Sequence, residues 1–415
     1  MGKKNFSEAQ KEFQKALDIE ENSELYLNLG NAYASETKYE EALAAYTKAQ
    51  LFDPNNAEIY FSIGSVYLLQ DRLKKCIEAY NKAEALGYTN IRLYVNLAAI
   101  YHALGNRQLE LRNYTKAIDK NPLIGNLYIK KALLLTELGK PDAALEITEE
   151  FRKLFPDAYE GYDLTARIYM MKGMPSEAIG ILNEGITKFP KDINLKLSKA
   201  GLLIGRREVE AAESVINELK EDSNYERFKR AILMQEISVA SLKEDRVKMK
   251  ELLVEAVGLE KEGSVDEQAR FMLMMVANIS EDYALALEQA EKLDIPNSKS
   301  SYCISAMYYR GEILEKLGRT DEAEDQFRKA AKRLKVLSLN SRTNFEIYVF
   351  RAMAHKHLKE YEKALELAEF IRDMQPEKQD GYVLLAEIYK DMGDEEKYRE
   401  QYEIAKEKKP DMKER

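Results

Sequence analysis

The sequence predicts an all-α chain: a solenoid of about eleven stacked helix pairs, an α-α superhelix. Three observations predict it. A tyrosine-led motif returns every 34 residues, as Tyr26, Leu29, Gly30, Tyr33, then Tyr60, Ile63, Gly64, Tyr67, then Tyr94, Leu97, Ala98, Tyr101. A second motif follows it at the same period, as Ala42, Tyr46, Ala49, Pro54, then Cys76, Tyr80, Ala83, then Tyr114, Ala117, Pro122. The chain of 415 residues has only 9 prolines and 19 glycines, which suits long helices because both residues destabilise helix interiors.

Apolar residues spaced by three and four mark one face of a helix. Each unit holds two such runs, separated by a turn where Gly105, Gly139, Gly173, Gly318 and Gly393 recur at one place. Glycine there ends a helix by taking a left-handed backbone conformation. Pro54, Pro122, Pro156, Pro190 and Pro376 close the second run. Gly30, Gly64, Ala98, Ala132 and Ala166 allow the two helices of a pair to approach closely, and Ala42, Cys76, Ala144 and Ala178 do so from the other side. The leading tyrosines Tyr26, Tyr60, Tyr94, Tyr128 and Tyr162 are expected to pack between neighbouring units. One helix pair cannot bury its apolar face alone, so stacking is obligatory.

Residues 1–22 form half a unit, a second helix without its first, marked by Phe6, Ala9, Phe13 and Ala16. Six regular units fill 23–226, beginning near 23, 57, 91, 125, 159 and 193. Two degenerate pairs occupy 227–303, and three more units occupy 304–415. Steps of 37 and 41 residues interrupt the spacing, with a loop insertion expected near 334–344, around the segment at 338–344. The uncovered half unit is expected either to continue a longer chain or to be covered by another molecule, and the charged end at 405–415 is expected to be a stop. The Met-rich run at 272–277 is read as a buried helix, with an adaptable binding face as the alternative.

These motifs resemble the tetratricopeptide repeat family, with Tyr in place of the usual Trp, of which the chain has none. The resemblance covers nearly the whole chain and implies a curved superhelix whose first helices line a concave groove. It implies binding of a protein or peptide there, and no catalysis. The candidate groove residues are Leu27, Asn28, Asn31, Phe61, Ser62, Asn96 and Lys130, with a more aromatic surface at Tyr308, Tyr309 and Phe350 further on. Asn can both donate and accept to an extended peptide backbone. Ordinary inter-helix packing explains Leu27, Phe61, Val95 and Ile129 equally well, and the same holds for the second surface. The family's clamp for two carboxylates needs Lys, Asn, Asn, Lys and Arg, whereas the first window offers Leu27, Asn31, Ser62, Arg92 and Asn96, so that function is not expected.

Other chemistry has little support. Net charge is −9, which argues against salt-driven nucleic-acid binding, and Lys329, Lys332, Arg333 and Lys335 read as a solvated helix face. His355 and His357 point apart around a helix and cannot share a metal, and His102 stands alone. No cofactor, metal site or catalytic residue is expected. Two cysteines, Cys76 and Cys303, suit a reducing, cytoplasmic compartment, Cys76 standing where neighbouring units carry Ala. No signal peptide or membrane insertion is expected. Self-association end to end, or a peptide-sensing role within a longer protein, is the alternative to a scaffold.

Overall fold

A computed structural model describes residues 3–261, 263–296, 298, 300–340 and 345–409, with side chains described from Glu8 onward except at 339 and 340. The described residues form helices and turns, with no strand among them, in an all-α repeat solenoid. Helix pairs follow one another as Ser23–Ser35 with Tyr39–Phe52, then Ala57–Leu69 with Leu73–Ala85, and so on to Asp380–Met392 with Glu395–Lys408. None of the helices is long and apolar enough to cross a membrane among the described residues.

The turn inside each pair is the most regular feature. Positive φ occurs at Thr37, Asp71, Gly105, Gly139, Gly173, Arg207, Glu244, Glu281, Gly318, Lys359 and Gly393, the same place in all eleven units, the degenerate ones included. The next residue donates its N–H to the carbonyl five before it, as in Lys38 to Tyr33, Arg72 to Tyr67, Glu208 to Leu203 and Asp282 to Ala277. That bond closes the first helix in the manner of a Schellman turn. Where the residue is Asn106, Asp245, Asp282 or Asp394, its side chain also caps the second helix. The 34-residue period extends to the first helices' caps Asn22, Asn56 and Asn90, a signal present in the sequence and not used above.

Complementary volumes set how closely a pair packs. A Cβ on Gly30 would meet the Tyr46 ring at 2.4 Å, one on Gly64 the Tyr80 ring at 2.5 Å, and one on Gly311 the Phe327 ring at 2.4 Å. In the unit starting at 267 the sizes are exchanged: Met274 takes the glycine position and Ala290 the aromatic one, both fully buried in one core cluster. This exchange preserves the crossing while erasing the consensus, which is why that unit looked degenerate. The Met-rich run lies in the helix Glu267–Ile279, with Leu273, Met274, Val276 and Ala277 buried.

Two of the longer steps are absorbed by helix, whereas the connections 259–266 and 293–300 lengthen the others. Tyr225–Leu242 has 18 residues and Thr320–Asn340 has 21. Of the insertion near 334–344, the loop expected at 338–344 is corrected over 338–340, which continue the second helix, and residues 341–344 lie outside the described residues. Seven added residues make almost two whole turns, and the buried Leu334 and Ser338 in them continue the face of Phe327 and Ala331. Arg333 on that helix pairs with Asp294 at 2.6 Å, whereas Lys329 and Lys332 are exposed.

The chain divides into two compact lobes, Met1–Ser198 and Lys199–Arg415. In the first lobe, the half unit Lys3–Ile19 packs on Ser23–Ser35, with Phe13 and Leu17 in the core. Among the described side chains of that helix, Lys11, Glu12, Gln14, Lys15 and Asp18 are exposed, as is Ile19 at its end. The side chain of Phe6 and the chain's last six residues lie outside what is described.

Candidate binding groove

First helices of neighbouring pairs touch one another: Ser23–Ser35 against Ala57–Leu69, Gly125–Glu137 against Glu160–Met171, and, in the second lobe, Ser301–Lys316 against Phe345–His357. No second helix approaches the next second helix to that extent among the described residues. The first helices thus lie on the inner side of each stack.

In the first lobe this inner face carries a hydroxyl–amide lattice. The Tyr46 hydroxyl donates to Asn31 Oδ1 over 2.7 Å and also meets Ser62 of the next pair. One unit on, the Tyr80 hydroxyl lies 3.1 Å from Ser65 Oγ and accepts from Asn96 Nδ2 over 2.9 Å. Burial pushes both phenols up to about 12, so they stay protonated. Asn31 and Ser62 thus meet Tyr46, and Asn96 meets Tyr80, two tyrosines that the sequence marks only as members of the second motif. Phe61 is half-buried, its ring 5.4 Å from Tyr80 and 4.6 Å from Tyr88. Asn28 is half-buried and Lys130 exposed.

Two candidates are corrected. Leu27 is buried in the core of its pair, because its helix turns that position toward Tyr46 and Ile59, so it offers no groove surface. Tyr308 is completely buried. Burial and the Glu312 carboxylate, which accepts its proton at 2.7 Å, hold its phenol far above the ordinary range. Tyr309 and Phe350 remain half-buried, their rings packed edge to face at 5.8 Å.

Exposed apolar residues stand on first helices of both lobes, Leu69, Leu133, Met170 and Met171 in the first and Ile279 and Met392 in the second among them. In the second, polar groups pair with one another: Lys316 with Asn278 at 3.0 Å, His357 with Glu315 at 3.0 Å and with the Tyr308 hydroxyl at 3.0 Å, and Lys356 with Glu387 at 3.4 Å. His355 is buried and bonds Glu360 at 2.6 Å, apart from His357. Cys76 and Cys303 are buried thiols, and burial pushes Cys76 up to about 12. The described residues hold no group of His, Cys, Asp and Glu arranged to bind a metal.

Comparison with known proteins agrees with this register. A TPR repeat model matches residues 30–71, and tetratricopeptide repeat models match 57–86, 129–193 and 280–335. No curated protein matches the chain. Among solved structures, the chain is similar to YrrB, described as a TPR protein with an unusual peptide-binding site, at 26% identity over 44% of this chain and 94% of that one, with a TM-score of 0.37. It is also similar to MamA, at 24% identity over 41% and 92%, TM-score 0.35. A tetratricopeptide repeat protein from Parabacteroides merdae ATCC 43184 is similar at 17% identity over 62% and 99%, TM-score 0.39. The assignment rests on the repeat models and on the turn that recurs in eleven units: the chain is a tetratricopeptide repeat protein.

Proposed function

We propose that the chain is a protein–protein interaction scaffold that holds an extended peptide segment against the first helices of its first lobe. The observation that carries this reading is that the first helices of this lobe bear exposed apolar side chains, Leu69, Leu133, Met170 and Met171, and the amides of Asn31 and Asn96. Apolar surface grouped on one face marks an interaction site. Each amide has one polar atom engaged by a tyrosine and the other left for a peptide backbone. Phe61, Asn28, Ser62 and Lys130 complete the surface. Tyr309 and Phe350 present a smaller aromatic surface in the second lobe. The reading assigns binding rather than catalysis, and the two thiols suit a reducing compartment such as the cytoplasm.

The test is a selection of random heptapeptides on the full chain. Phe61→Ala should weaken the selected peptides by roughly 1 to 2 kcal/mol while helicity stays intact. Equal affinity for wild type, Phe61→Ala and Asn96→Ala would remove the groove from this function.

A further inference from the structure

In the second lobe, the helix Arg246–Gly258 is the second of its pair and is apolar on two faces. One face buries Leu252, Leu253 and Ala256 in the core. The other leaves Val247 70% and Val254 49% exposed. No other second helix carries two exposed large apolar side chains seven residues apart among the described residues. With Glu251 and Gly258 the two valines form a seam spaced by four, three and four residues, the spacing by which one helix lies along another. Valine is a weak helix former, so two of them in water cost an outer helix stability with no burial in return.

The charges of this helix run against its dipole. Arg246 and Lys248 stand in its first turn and Glu255 in its last, whereas a helix favours acidic groups at its start and basic groups at its end. Against a second copy lying antiparallel, the same order becomes complementary. Lys248 and Glu255 flank the seam on one side, seven residues apart, so a two-fold axis sets Lys248 of each copy near Glu255 of the other. It also brings each Val247 over Gly258 of the other copy, where there is room: a Cβ at Gly258 would meet nothing within 4 Å among the described residues. Lys248 now reaches Glu251 over 3.4 Å and Glu255 holds Lys229 over 2.8 Å, but Lys248 and Glu255 are each about half exposed, and such surface pairs contribute little. We infer that this outer face binds a second copy of the chain, the helix Arg246–Gly258 lying antiparallel on its counterpart. One helix from each copy makes less than a permanent interface, so the dimer is weak and reversible. The contact uses no groove residue and stands independently of the peptide-binding reading.

Sedimentation velocity of the full chain over a hundredfold range of concentration should show monomer passing into dimer. Val254→Glu should weaken the dimer about tenfold or more. Lys248→Glu and Glu255→Lys should each weaken it several-fold. Combined in one chain they should restore it to within about twofold of wild type, because the exchange leaves the pairs complementary. All three positions are exposed, so each variant should keep the wild-type helical signal and melting temperature at low concentration. A monomer at every concentration would overturn the assignment. So would a dimer indifferent to Val254→Glu, which would place the contact on another surface. Loss of the dimer in Val254→Glu without rescue between the two charge variants would overturn the antiparallel arrangement.

Discussion

Asn96 donates its side-chain amide to the hydroxyl of Tyr80 across 2.9 Å, and this bond ties one helix pair to the next on the inner face. Its counterpart one unit earlier joins Tyr46 to Asn31 within a pair and to Ser62 of the following one. Residues expected to await a ligand thus also hold the stack together.

Tyr80→Phe removes the shared hydroxyl and leaves the ring in place. Ser65 and Asn96 are half-buried and regain water, so the cost should be about 0.5 to 1.5 kcal/mol. Urea unfolding should show a lower midpoint with an unchanged slope; an unchanged midpoint would mean the lattice adds nothing to stability.

Gly64→Ala should destabilise by about 1 to 3 kcal/mol. Its new Cβ would lie 2.5 Å from a Tyr80 ring that is fully buried, so the two helices must move apart. Adding Tyr80→Leu should recover part of the loss, since Ala166 and Leu182 occupy the same two positions three units on. Thermal melts of the single and double variants decide it.

Thr37 holds φ at 62°, a β-branched residue where five other units carry glycine. A left-handed conformation costs a non-glycine residue roughly 1 to 2 kcal/mol. Glycine's greater freedom in the unfolded chain returns about 0.5 to 1. Thr37→Gly should therefore stabilise the chain by about 0.5 to 1 kcal/mol, read as a higher denaturation midpoint. A lower midpoint would show that the threonine side chain contributes more than its backbone strain.

His355 is buried, and burial holds its imidazole below the usual range, against the opposing pull of Glu360 at 2.6 Å. The unfolded chain then binds more protons than the folded one between the folded value and about 6.5. The contribution of this site to stability is full above that window and is lost as the pH falls through the folded value. Melting temperature should drop on acidification, and His355→Gln should flatten that acid limb. An acid limb as steep as wild type would assign the pH dependence to other groups.

Much of the fold was legible because it is written locally. A residue of positive φ stands fourteen residues after the start of every unit, whether glycine or not, because the turn is closed by backbone hydrogen bonds that most residues can make. The glycines at 105, 139 and 173 announced it; Arg207, Glu244 and Glu281 did not, since their side chains carry no sign of the turn. Met274 and Ala290 stayed hidden for a related reason: only the sum of two volumes is constrained across a crossing, so either partner can be the large one. The insertion after residue 334 looked like a loop because its polar residues resemble one, yet seven residues nearly complete two turns and continue the helix in phase.

By itself the sequence determined the period, the pairing of helices and the place of each turn, because these depend on contacts between near neighbours in the chain. Tertiary structure alone decided which inner-face side chains remain available. Leu27 and Tyr308 are buried, Asn31 and Asn96 are half engaged, and Glu110 gathers Arg107 and His102 beside Lys130. The reason is geometric: a residue's exposure depends on where the next helix pair comes to rest against it, and residues about 34 apart in sequence carry no mark of that distance.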